Sequence, residues 1–144
     1  MSIGWGQFDT EPPEVVDFQF TSDTTLDITD ESQELNYTIS ITDDMSGTSN
    51  MYFQFISPSG IDYIYSDLEF NEELEETKEG TINIPQFIEP GIYTIYILYC
   101  TDESNNSVYY YLDDFQELGF SYQFEVINNP SLCNEETEVE LWDE

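Results

Sequence analysis

The sequence predicts an all-β protein, an antiparallel β-sandwich of seven to nine strands. Three observations carry that prediction. Apolar and polar residues alternate at period two through six segments. Turn-forming clusters separate them: Pro12-Pro13, "DDMSG", "SPSG", Pro85, "EPG" and "NNP". The segments recur about every 8–12 residues, which is the spacing of a sandwich rather than of alternating strands and helices.

The elements follow in chain order. "EVVDFQF" sets Val16, Phe18 and Phe20 on one face. "QELNYTISIT" sets Leu35, Tyr37, Ile39 and Ile41 opposite Glu34, Asn36, Thr38 and Ser40, as a half-buried strand does. "NMYFQFI" offers Met51, Phe53 and Phe55, and "GTINIP" offers Ile82 and Ile84. "GIYTIYILYC" offers Tyr93, Ile95, Ile97 and Tyr99. "SYQFEVI" offers Tyr122, Phe124 and Val126, or the opposite parity beside a bulge. The one longer helical candidate is "DLEFNEELEETKEG", which an acidic loop crossing the sandwich end fits equally. "LDDFQELG" reads as a single helical turn closed by Gly119.

A chain of 144 residues suits one domain. The pattern places the sandwich at 9–127, with an N-terminal extension at 1–8 and an acidic C-terminal tail at 128–144. Trp5 and Phe8 in the extension, and Val139, Leu141 and Trp142 in the tail, either fold back as edge strands or join neighbouring copies or domains. Cys100 and Cys133 allow one tail-to-domain disulfide or two free thiols. No apolar run is long enough to span a bilayer, so membrane insertion is not expected. "MSIGWGQF" lacks the basic start and apolar stretch of a signal peptide. The expectation is a cytoplasmic chain, or a piece of a longer secreted protein with an added Met.

Charge is the unusual property. The chain has 32 acidic residues, one basic residue (Lys78) and no His, for a formal charge of −31. Disorder does not follow, because 11 Tyr, 10 Phe and 2 Trp supply a core. Almost no carboxylate can find a basic partner, so salt or bound cations are expected to relieve the repulsion. Direct nucleic-acid binding is excluded for want of a basic patch. Without His there is no Ser-His or Cys-His nucleophile and no His-ligated metal. Paired carboxylates alone are uninformative among so many acids. No Gly-rich phosphate loop is present, and an enzyme is not expected.

Three acidic loops are candidate cation sites: "FDTEPPE" with Asp9, Glu11 and Glu14; "TDDMSG" with Asp43 and Asp44; and "TDESNNS" with Asp102, Glu103, Asn105 and Asn106. In a sandwich the chain entry and these two inter-strand loops meet at one end. Calcium takes six to eight hard oxygen ligands, which these loops supply, whereas magnesium prefers few protein ligands in a rigid octahedron. The alternative for every acid is simple solvation. An EF-hand is rejected, although Asp102, Ser104, Asn106 and Asp113 fall at positions 1, 3, 5 and 12. Ser107 stands where the turning Gly belongs, and the flanks are strands.

Over residues 9–127, "DTEPPEVVDFQF", "ELNYTISITDDMSG", "FQFISPSG", "GTINIPQFIEPGIYTIYILYCTDESNNSVYY" and "LGFSYQFEV" resemble Ig-like repeat domains of large bacterial extracellular proteins, including adhesins. That resemblance implies an Ig-like sandwich with Ca2+ held by Asp9, Asp44 and Asp102. It implies a structural or adhesive role at the cell surface or outside it. "TDESNN" departs from the repeat pattern in lacking its Gly, and no tandem repeat is visible.

Two other functions fit the sequence. Tyr109 and Tyr111 lie on one face of "VYYYL" and, with Tyr63 and Tyr65, could stack on sugar rings of a glycan; core packing and cross-strand pairing are the plain alternative. The charge would also suit a DNA-mimic-like inhibitor of a basic protein.

Overall fold

The computed structural model describes residues 9–129 and is an all-β sandwich of nine strands and one short helix. In order these are β1 (Glu14–Phe20), β2 (Thr25–Asp27), β3 (Gln33–Thr42), β4 (Thr48–Ile56), β5 (Tyr63–Glu69), β6 (Glu75–Ile84), β7 (Gly91–Asp102), β8 (Ser107–Tyr110), α1 (Leu112–Leu118) and β9 (Gln123–Ile127). One sheet is β1-β3-β6; the other is β2-β9-β7-β4-β5, with β8 also paired to β7. All pairings are antiparallel except β2 with β9, which is parallel. The chain leaves the first sheet after β1 and enters the second beside β9, running the same way.

Strand β7 organises the larger sheet. One edge pairs with β4 along most of its length. The other edge is shared: Gly91–Thr94 pair with β9 and Leu98–Thr101 with β8. Between them the Ile95 amide donates to the Tyr122 carbonyl at 2.8 Å.

The core is aromatic, as the alternation implies. Phe18 lies 5.3, 5.4 and 5.6 Å from the rings of Tyr37, Phe53 and Phe115, and Phe53 lies 5.1 Å from Tyr37. These edge-on and tilted packings suit the ring quadrupole. Phe115 comes from α1, whose first turn is tied by the Asp114 carboxylate accepting the Tyr111 amide at 2.9 Å. Gly119 ends the helix at φ 75°, a left-handed cap that an L side chain would strain. The helical turn expected in "LDDFQELG" is therefore present.

Three expectations change. In β1 a bulge between Val15 and Asp17 buries Val15 and leaves Val16 exposed. In β7 a register shift near Ile97 flips the parity, so Leu98 and Cys100 are buried while Ile97 and Tyr99 are half-buried on the outer face. "DLEFNEELEETKEG" is neither helix nor long loop; β5 runs through Glu69 and β6 begins at Glu75. Its period of two persists through the glutamates, which face outward from β6 at Glu75 and Glu79. Lys78, on the opposite parity, lies 5.8 Å over the Phe70 ring and donates to the Glu69 carbonyl at 2.9 Å.

Cys100 is fully buried, and burial pushes its thiol up to about 12. The expected outcome is that a thiol reagent modifies Cys100 at the rate of unfolding, not at the rate of an exposed thiol. Time-resolved labelling followed by peptide mapping checks this. Cys133, Trp5, Phe8, Val139, Leu141 and Trp142 lie outside the described residues. Among the described residues, no helix is long and apolar enough to cross a membrane.

Candidate metal centre

The chain entry, the β3–β4 loop and the β7–β8 loop meet at one end of the sandwich and are tied together by hydrogen bonds. The Ser46 amide and hydroxyl donate to Asp9 Oδ2 at 3.0 and 2.5 Å. Asn106 Nδ2 donates to the Asp9 carbonyl at 2.8 Å and to Asp102 Oδ2 at 3.0 Å. The Glu103 amide donates to the Gly47 carbonyl at 3.0 Å. Gly47 has φ 90°, and a Cβ there would lie 2.1 Å from the Glu72 carbonyl oxygen, so only glycine lets the loop pass.

Within this junction Asp9, Asp43 and Asp44 each bring a carboxylate oxygen within 4.8 Å of the others. Two ligands on opposite sides of a calcium ion are about 5 Å apart, twice its 2.3–2.6 Å bond length, so the spacing suits that ion. Asp43 decides the character of the site. It is 7% exposed, and its Oδ2 accepts the amides of Met45 and Gly47 at 3.2 and 2.9 Å. Its Oδ1 is buried and has no hydrogen-bond partner. A buried carboxylate oxygen without a donor is costly unless a water or a cation meets it.

The structure thus brings together two of the three residues expected as ligands, Asp9 and Asp44, with Asp43 as the third member. Asp102 sits beside them in another role. It is 1% exposed, and its Oδ1 accepts the amides of Ser104 and Asn106 at 2.9 and 2.8 Å. It shapes the β7–β8 turn, in which Asn105 takes a left-handed φ of 69°. The inward position of Asp43 was readable from the sequence. It continues the alternation Leu35, Tyr37, Ile39, Ile41 by one more step.

The electrostatics express crowded like charges. Burial raises Asp43 above 3.8 against the Gly47 and Met45 amides, and the charges of Asp9 and Asp102 raise it further. Loss of solvent and the Asp9 charge raise Asp44. Burial also pushes Asp9 up, but hydrogen bonds donated by the Ser46 hydroxyl and amide and by the Glu11 amide outweigh it and bring Asp9 down to about 2.

The sign of the pH dependence follows for protein in EDTA. Asp43 and Asp44 hold protons more tightly folded than unfolded, so stability rises as pH falls from 7 towards the carboxylate range. Asp9, depressed when folded, contributes stability that is lost between about 3.8 and about 2. Urea unfolding across pH is therefore expected to show a maximum above pH 3.8. A monotonic loss of stability from pH 7 downward would contradict it.

The tyrosines expected to meet a glycan separate. Tyr109 lies on β8 with its ring 5.4 Å from Tyr99. Tyr111 lies past the strand, at the N-cap of α1.

Comparison with known proteins gives a family and a faint structural likeness. Residues 19–119 match a family of unknown function, DUF6727. No curated protein matches the chain. Two crystal structures of a beta-glucosidase from Listeria innocua, with glucose and with isofagomine, resemble it at 13% and 14% identity, with TM-scores of 0.41 and 0.40. Each likeness covers 81% of this chain, which spans 16% of the beta-glucosidase chain.

Proposed function

The chain belongs to the family of unknown function DUF6727, and for this member we propose a non-catalytic structural or adhesive module of a bacterial surface or extracellular assembly, braced by Ca2+ at one end of its sandwich. One observation carries the cation seat: the buried, unpartnered Oδ1 of Asp43 beside the carboxylates of Asp9 and Asp44. The ligands come from two segments far apart in sequence. An ion there fastens the chain entry to the β3–β4 loop, and Asn106 already links that entry to the β7–β8 loop.

The donor set favours calcium. Carboxylates completed by water are hard oxygen ligands, and a partly exposed loop site accepts the irregular geometry that magnesium refuses. Extracellular modules bind calcium at about 10⁻⁴–10⁻³ M, so a site of few ligands would be filled outside a cell. The resemblance to Ig-like repeats supports the same reading, and the charge of −31 gives a bound cation a second effect, relief of self-repulsion.

Thermal melts test the proposal in EDTA, in millimolar Ca2+ and in NaCl matched for ionic strength. A ligand of the folded state raises stability by mass action, while salt only screens. A rise specific to Ca2+ is expected; equal rises in NaCl would overturn it.

A further inference from the structure

The outer face of the larger sheet is chemically unlike the rest of the molecule. In a chain with 32 acidic residues, the stretches Thr48–Ile56, Gly91–Thr101 and Ser107–Tyr110 contain no charged residue. They form three adjacent strands, β4, β7 and β8. The smaller sheet, by contrast, exposes Glu14, Asp17, Glu34, Glu75 and Glu79. Register across the larger sheet lines tyrosines into a row over four strands. Tyr65 on β5 lies 6.0 Å from Tyr52, Tyr52 lies 5.4 Å from Tyr99, and Tyr99 lies 5.4 Å from Tyr109. The end members are 65% and 52% exposed, and a second pair, Tyr63 and Tyr96, lies on the same face 5.4 Å apart. Gln54 steadies the row by donating to the Tyr52 hydroxyl at 2.7 Å.

We propose that this tyrosine row is a binding platform for a neutral oligosaccharide lying across the strands. Charge chooses the occupant. A body at −31 repels anionic polymers and a second copy of itself. A basic partner would be drawn to the carboxylates, and these are missing from the centre of this face. Carboxylates stand only at its margins, Asp67 and Glu69 at the β5 edge and Asp27 and Glu125 on β2 and β9. What the face offers is ring surface, phenolic hydroxyls and the neutral side chains of Asn50, Gln54 and Thr101. Ring surface suits the apolar C–H faces of a sugar, and the hydroxyls and amides suit its rim of OH groups. The platform names a ligand class for an adhesive module, yet it shares no residue with the cation seat, so either can fail alone.

The test is calorimetric titration of the whole chain with neutral linear hexasaccharides (cellohexaose, xylohexaose, mannohexaose and hexa-N-acetylchitohexaose) in low and in high salt, with Ca2+ and with EDTA. Saturable binding to at least one is expected, insensitive to salt. Tyr65→Ala and Tyr109→Ala, at exposed ends of the row, should each weaken it about 3- to 10-fold, the scale of one aromatic contact. Phe87→Ala, at an 87% exposed residue outside the row, should leave it unchanged. Binding of none of the four would overturn the proposal, as would binding indifferent to both tyrosine variants. Salt-sensitive capture of a basic protein, lost in the same variants, would make the face a protein interface instead.

Discussion

Asp43→Asn is expected to abolish the calcium-dependent part of the protein's stability while leaving the calcium-free protein as stable as before, or more so. At free Ca2+ 100-fold above Kd the wild type gains about 2.7 kcal/mol. For a chain of this size that is about 10 °C in Tm. The variant should gain almost none of it. In EDTA the sign differs, because the substitution removes one of three crowded carboxylates. The asparagine carbonyl can still accept the Gly47 and Met45 amides, and its NH2 takes the position where Oδ1 has no donor. Its N–H groups would then face the carboxylates of Asp9 and Asp44 rather than repel them. Melts of both proteins in EDTA and in Ca2+ read all four corners of this comparison. If the variant lost the same stability in both conditions, Asp43 would be only a loop-capping carboxylate.

Phe53→Ala should cost about 3–5 kcal/mol, the range for removing a fully buried aromatic side chain. Phe53 is 0% exposed and stands between both sheets, with Phe18, Tyr37 and Phe55 at 5.4, 5.1 and 5.6 Å. The loss has two parts, the transfer free energy of the ring and the cavity left behind. The cavity closes poorly here, because β4 is held on both edges by β5 and β7 and cannot sink towards β3. Against a usual stability of about 5–15 kcal/mol, such a loss leaves little margin. Urea unfolding with an unchanged m-value and a lowered midpoint is the expected result. A loss under about 1 kcal/mol would mean that the aromatic cluster is looser than described.

The alternation in "QELNYTISIT" and "NMYFQFI" made the core strands legible, since each keeps one parity from end to end. "GIYTIYILYC" did not, because a single bulge residue reverses every later side chain and nothing in composition marks it. The start of β6, after the crossing from β5 in the other sheet, was hidden by its glutamates, which are poor strand formers and suggested a helix or loop. It forms because β6 pairs with β3 along its whole length, a tertiary effect. At the candidate site, the loops were visible as acid clusters, with Asp9 at the chain entry and Asp44 after an apolar strand. The division of labour was not. Whether Asp102 faces an ion or its own turn depends on the amides of Ser104 and Asn106, which only the folded loop aims. The tyrosine row was half visible for the same reason, since parity places Tyr65 and Tyr109 but only register joins them through Tyr52 and Tyr99.

The calcium seat is tested most directly by titration calorimetry with Ca2+ in high salt, on the wild type and on Asp43→Asn. High salt suppresses diffuse condensation of cations on a −31 surface and leaves a built site standing out. The expected result is one saturable site per chain in the wild type and none in the variant. Weak, unsaturable uptake that is the same in both proteins would contradict it, and the three carboxylates would then be a solvated cluster and no more.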